Sequence, residues 1–118
     1  MGLLRWFTKN WANTAEPTHA DLKPLVLPLV PEAAISRICS IVAKLPMWKV
    51  ETSPPDGPLH LTRRTRIVGY TDDIRLQFLP EGRGTIIHAE SRSRVGVGDL
   101  GQNRRNILEL WEAIAQHS

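Results

Sequence analysis

Residues 91–105 read SRSRVGVGDLGQNRR, and how Ser91 to Arg105 is parsed decides the fold. The opening alternates small and basic residues. On a strand this puts Ser91 and Ser93 on one face, and Arg92 and Arg94 on the other with His88 and Glu90. Gly96, Gly98 and Gly101 then lead into a helix predicted over Gln102 to Gln116, whose Ile107, Leu110, Trp111 and Ile114 form one apolar stripe. The glycines match the GxGxxG spacing of a dinucleotide-binding loop, at the strand-to-helix junction where such a loop belongs. The surrounding unit is absent from the sequence. No second parallel strand follows, and no acid stands about twenty residues on to hold a ribose. Asp99 would also put negative charge where phosphate goes. Asp99 reads better as a helix N-cap, with Gln102 returning the bond in a D-x-x-Q capping box. An anion or small-molecule reading survives, because free N–H groups at that helix start are flanked by Arg104 and Arg105. Its candidate residues are Arg92, Arg94, Gly98, Gly101, Asn103 and Arg104.

Upstream of this stretch, breakers separate strand-like runs. Met47 to Thr52 is closed by the turn-forming Ser53-Pro54-Pro55-Asp56-Gly57-Pro58. Leu59 to Val68 follows, with His60, Thr62, Arg64 and Arg66 on one face. Asp73 to Leu79 alternates cleanly, with Ile74, Leu76 and Phe78 inward and Arg75 and Gln77 outward. Pro80 to Gly84 makes a hairpin into the fourth run, Thr85 to Val95. Short connections between consecutive strands imply an antiparallel meander. Ahead of it, Ile35, Ile38, Ile41, Val42 and Leu45 recur at helical spacing between Pro31, suited to a first turn, and Pro46, which ends the pattern. Leu25 to Val30 is apolar but carries Pro28, which restricts it to a sheet edge or an irregular strand. The expected fold is therefore α+β: a helix, a four-stranded antiparallel meander and a C-terminal helix packed on the sheet, with room for an extra edge strand near 25–30.

Nine of the eleven arginines lie between Arg63 and Arg105. Acids share the region, so internal ion pairs are the first expectation. Asp72, Asp73 and Asp99 are the structural candidates, the first two forming bidentate pairs with the arginines. Asp72-Asp73 does not read as a metal site, having no third ligand at useful spacing. Nor does it read as a general acid/base pair, since adjacent strand residues point to opposite faces. Cys39, the sole cysteine, sits on or beside the apolar stripe of the first helix, where an inert thiol is the usual reading. The histidines are scattered and no serine lies in GxSxG. No catalytic residue, metal or cofactor is assigned. The basic strands lack the aromatic platform of an RNA-binding sheet, so no nucleic-acid partner is expected.

One domain, 25–118, is expected behind a tail and linker, 1–24. The tail puts Leu3, Leu4, Phe7 and Trp11 on one helical stripe, with Trp6 beside it and Arg5, Lys9 and Asn10 elsewhere on the wheel. It reads either as a segment that docks on a membrane interface or a partner, or as one that packs on its own domain. No apolar run is long enough to span a bilayer, and a single cysteine fits the cytoplasmic side or an equivalent reducing compartment, with peripheral membrane attachment.

Leu61-Thr62-Arg63-Arg64-Thr65-Arg66, Gly69-Tyr70-Thr71-Asp72-Asp73 and the stretch Ser91 to Arg104 together resemble the family called domain of unknown function 1499 (DUF1499). Trp48 and the Ile107 face of the last helix fit it too, and the likeness covers about Val26 to Ala115. The resemblance implies no reaction. It does imply a signal or membrane segment ahead of the domain in many members, a place taken here by the amphipathic tail. The order of elements is also similar to part of the helix-grip lipid-binding folds, as an analogy of fold alone. The leading reading is a non-enzymatic binding or accessory protein, docked to a membrane surface or a larger complex through Leu3, Leu4, Trp6, Phe7 and Trp11. The alternative is a small-molecule or anion-binding domain, or an enzyme, that uses the turn at 91–105.

Overall fold

Strand alternation and helical spacing resolve into two helices laid on one antiparallel sheet. A computed structural model describes residues 11–15, 22–65, 70–94 and 101–117. The elements in chain order are β1 (Trp11–Asn13), β2 (Leu25–Leu27), α1 (Pro31–Val42), β3 (Trp48–Thr52), β4 (Leu59–Arg64), β5 (Thr71–Glu81), β6 (Gly84–Ser93) and α2 (Gln102–Gln116). β3 to β6 form the expected meander. β6 then carries β1 and β2 along its far edge, both antiparallel to it.

The expected architecture holds, with six strands where four and an edge strand were expected. β2 is that edge strand, and it stops before Pro28, whose missing N–H cannot continue a ladder. β1 is the addition. Trp11 therefore lies in a strand, where the sequence pattern had put it on a helical stripe. Trp11, Ala12 and Asn13 pair with Arg92, Ser91 and Glu90. Three residues are too few to show a period of two, so the pattern gave no sign of them.

Nor does 13–24 behave throughout as a linker. Ala12, Thr14 and Leu22 are buried. Thr14 seals the gap between β1 and β2: its N–H donates to the Ala89 carbonyl at 3.0 Å, and its hydroxyl accepts from the Ala89 N–H at 2.9 Å. The Trp111 indole donates to the Lys23 carbonyl at 2.8 Å, tying this segment to α2.

Among the described residues, one face of the sheet is covered by the helices and the other is open. Leu59, Leu61, Ile74, Leu76, Ile87 and Ala89 alternate onto the covered face. There they meet Ala34, Ile38, Ile41 and Val42 of α1 and Ile107, Leu110, Ala113 and Ile114 of α2. Each fully buried leucine or isoleucine contributes about 1.5–3 kcal/mol, and these side chains fill the space between the layers. α1 starts on Pro31, whose fixed φ suits a first turn, and ends ahead of Pro46.

Candidate functional site

The covered face changes chemistry along the strands. Counting back from Ile87 and Ala89, β6 places Ser91 and Ser93 on the same face, and β5 places Asp72 in phase with Ile74 and Leu76. Two rows therefore cross the sheet. Leu61, Ile74, Ser91 and Ala12 stand side by side, and beyond them come Trp48, Arg63, Asp72 and Ser93. α2 follows the same change. Its buried stripe begins with Asn103 and Asn106 and only then becomes Ile107, Leu110 and Ile114. Amides lie over the polar rows, and aliphatic side chains over the apolar ones.

The polar groups meet in a closed network. Asn106 Nδ2 donates to Asp72 Oδ2 at 2.8 Å and to Ser91 Oγ at 3.1 Å. Ser91 donates to Asn103 Oδ1 at 2.7 Å, and Asn103 Nδ2 donates to Ser93 Oγ at 2.8 Å. Gln102 Nε2 donates to Asn106 Oδ1 at 2.7 Å. Asp72, Ser91, Asn103 and Asn106 are buried, and among the described residues no buried side-chain nitrogen or oxygen lacks a partner. Each group needs a partner there, because an unmade bond in such a place costs about 1–3 kcal/mol. Beside the network, Glu109 accepts from both Arg63 Nε and the Trp48 indole, fastening α2 to β4 and β3.

The open face is charged. Asp73 is paired as expected: both its oxygens accept from Arg94 at 2.9 Å, and His60 Nε2 donates to Oδ1 at 2.7 Å. Asp72 is not. The expected arginine partner is replaced by Asn106, because alternation turns Asp72 under α2, away from Arg92 and Arg94, while its row neighbour Arg63 goes to Glu109. Arg92 lies 3.6 Å from Glu90, which also accepts from Asn13. Thr62 donates to Glu51, and Lys49 stands 3.7 Å from the same carboxylate.

Arg94, helped by His60, holds the Asp73 carboxyl down from its ordinary 3.8 to about 2. A carboxylate with a depressed folded-state pKa stabilises the fold above its unfolded value, and that contribution is lost as the pH falls through about 2. Side-chain carboxyl NMR of Arg94→Gln is expected to show the Asp73 midpoint return towards the ordinary aspartate value of about 3.9. Stability between pH 4 and pH 2 should then depend less on pH in the variant than in the wild type. An unmoved midpoint would remove Arg94 as the cause.

The helix start differs from its expected form. The cap position of α2 is Gly101, at φ +80°, and among the described residues no side chain caps the first turn. Gln102 turns inward to Asn106, Arg105 donates to Gln102 Oε1 at 3.1 Å, and the expected capping partner Asp99 lies outside the described residues. Gly98 and Asp99 lie outside the described residues, as do Leu3, Leu4, Trp6 and Phe7. Arg104 is half-buried in the first turn of α2. The structure thus splits the candidate residues: Asn103 goes into the buried network, while Arg92 and Arg94 go to the open face. Among the described residues no cluster of histidine, cysteine or acids suits a metal. Burial pushes the Cys39 thiol upward, away from the reactive thiolate. A recess of about 200 Å³ lined by Leu27, Pro28, Leu29, Arg37 and Ile114 lies towards the opposite end of β6, remote from Ser91 to Ser93.

The signal missed in the sequence was phase. Asn103 and Asn106 continue the stripe of Ile107 and Leu110 backwards at helical spacing, just as Asp72, Ser91 and Ser93 continue the apolar faces of their strands.

A family model described as "Protein of unknown function (DUF1499)" matches residues 7–114. The chain belongs to the DUF1499 family. The match takes in all eight elements, so β1 and the buried polar rows both fall within the DUF1499 domain. No curated protein matches the chain. Among solved structures, the crystal structure of TTHA0849 from Thermus thermophilus is similar over 92% of this chain and 99% of that one, with 12% identity and a TM-score of 0.42. Among the described residues no helix is long and apolar enough to cross a membrane.

Proposed function

We propose that this protein is a non-enzymatic accessory domain that its N-terminal segment docks on a membrane surface. The observation that carries this reading is β1. β1 is hydrogen-bonded to β6, and residues 1–10, MGLLRWFTKN, immediately precede it in the sequence, so an apolar and basic segment adjoins the sheet along the chain. After Met1 that segment has four large apolar side chains, two basic ones and no acid. This is the composition that lies in an interface, with aromatic rings at headgroup level. The polar groups of the DUF1499 signature that the structure describes bond mainly to one another, which supports a scaffold role for them.

The test is flotation of the whole chain with phospholipid vesicles, against Leu3→Ser/Phe7→Ser. The change stays clear of Trp11, since removing β1 would uncover the β6 edge. The wild type is expected to float, and the variant to bind at least about tenfold more weakly, because two large apolar side chains are worth about 3 kcal/mol or more when buried. Equal partitioning of the two would sink the proposal.

A second reading has its own support. α2 carries Arg104 and Arg105 in its first turn, where backbone N–H groups and the helix dipole favour an anion over a cation. It predicts that phosphate raises the melting temperature of the wild type and not of Arg104→Ala. No shift in either removes it.

A further inference from the structure

Both helices pack on one face of the sheet, and among the described residues no helix covers the other. The side chains of that open face are sorted by height. Lys49 is 73% exposed, Arg94 51% and Arg92 49%, with Arg64 and Arg75 also exposed. The carboxylates among them stand lower: Glu51 and Glu90 are 33% exposed and Asp73 15%. Each of the three is engaged, Glu51 by Thr62, Glu90 by Asn13, and Asp73 by Arg94 and His60. Five longer cations thus stand above these three shorter acids, and the exposed Glu81 lies at the far end of β5. An approaching surface meets positive charge first.

The strand register places this charge beside the N-terminal segment. Trp11 pairs with Arg92, so residues 1–10 join the sheet in the row that holds Arg92 and Asp73. Arg94 is one step further along β6 on the same face. Arg64 lies at the same end of the sheet, paired with Thr71 on β5. The start of β1 and these exposed arginines therefore lie at the same end of the sheet.

We propose that this open face is the electrostatic half of the membrane-docking surface, binding the phosphates of anionic lipid headgroups beside the point where the N-terminal segment enters the bilayer interface. This rests on the docking reading above and adds its lipid class and orientation. A sheet face left uncovered by either helix offers a bilayer a surface to lie against. Its charge complements phosphatidylserine-type headgroups, and each arginine brought to such a surface strengthens binding about fivefold. Single-stranded nucleic acid is the other polyanion, but among the described side chains this face carries His60, Thr62 and His88 where stacking needs aromatic rings.

Flotation of the full chain tests it, with vesicles of phosphatidylcholine alone and with phosphatidylserine added. The wild type should bind the anionic vesicles far more tightly and lose most of the difference in high salt. Arg64→Glu/Arg92→Glu should lower anionic binding by at least about 25-fold, the loss of two such cations, and leave neutral binding unchanged. Arg64→Lys/Arg92→Lys should keep the preference, and melting curves check that both variants fold. Leu3→Ser/Phe7→Ser should lose binding to both kinds of vesicle. A wild type that binds both kinds equally, or a glutamate variant that keeps its preference, overturns the role of the open face while the docking reading stands. A wild type that binds neither overturns both. Tighter binding to single-stranded oligonucleotides than to anionic vesicles also overturns the proposal, in favour of nucleic acid.

Discussion

Asn106→Leu is expected to lower the melting temperature by roughly 12–24 °C, about 3 kcal/mol at 4–8 °C per kcal/mol for a domain of this size. The leucine matches asparagine closely in shape, so packing changes little. What changes is the company of Asp72, which is 2% exposed and accepts from Asn106 Nδ2. Ser91 Oγ and Gln102 Nε2 lose the same partner. Removing one side of a buried hydrogen-bonded group leaves the other to meet the full desolvation cost, which is largest for a carboxylate. A double-mutant cycle separates this from simple strain. Asp72→Leu/Asn106→Leu, with both partners apolar, should be clearly more stable than the sum of the single changes implies. Additive losses, or an Asn106→Leu cost below about 1 kcal/mol, would show that the network does not hold α2 to the sheet.

Gly84→Ala should cost about 2–3 kcal/mol, in the range of core overpacking, and act locally on β2. A Cβ on Gly84 would stand 2.5 Å from the Leu27 carbonyl oxygen and within 3.6 Å of the Pro28 Cα, both backbone atoms that cannot rotate away. β2 is held to β6 by only three residue pairs, so it is the part that must move. Thr85 would lose its 2.7 Å bond to the Leu29 carbonyl as well. Hydrogen exchange should show protection lost at Leu25 to Leu27 and their partners Thr85 to Ile87, with α2 unaffected. Gly82→Ala is the control. Its φ of +59° disfavours alanine, but nothing lies within 4 Å of the added carbon. It should cost about 1 kcal/mol through the backbone, without disturbing β2. Equal effects of the two changes would mean that close approach is not what keeps Gly84 a glycine.

How much of this could be read from the chain depended on whether neighbours in sequence decide the outcome. α2 runs from Gln102 to Gln116 as its stripe predicts, and the meander follows from alternation and short turns. β1 was invisible because its stability comes from Arg92, Ser91 and Glu90, nearly eighty positions away in the chain. Asp72 and Asp73 look alike in sequence. Period two sends one beneath α2 to an amide and the other to Arg94 and His60 in the open. The charges of the arginines suggested ion pairs, and Arg94 with Asp73 and Arg63 with Glu109 form bidentate ones. The neutral residues Ser91, Ser93, Asn103 and Asn106 drew less notice, although their phase already placed them on buried faces.

The pairing of β1 with β6 also sets a timetable. Trp11 leaves the ribosome early, but its partner Arg92 is made only after about 80 more residues, which at ordinary synthesis rates takes on the order of 4–16 seconds. Throughout that interval Leu3, Leu4, Trp6 and Phe7 exist without the finished sheet that β1 joins. The nascent chain thus carries this apolar segment before it has a sheet beside which to seat it.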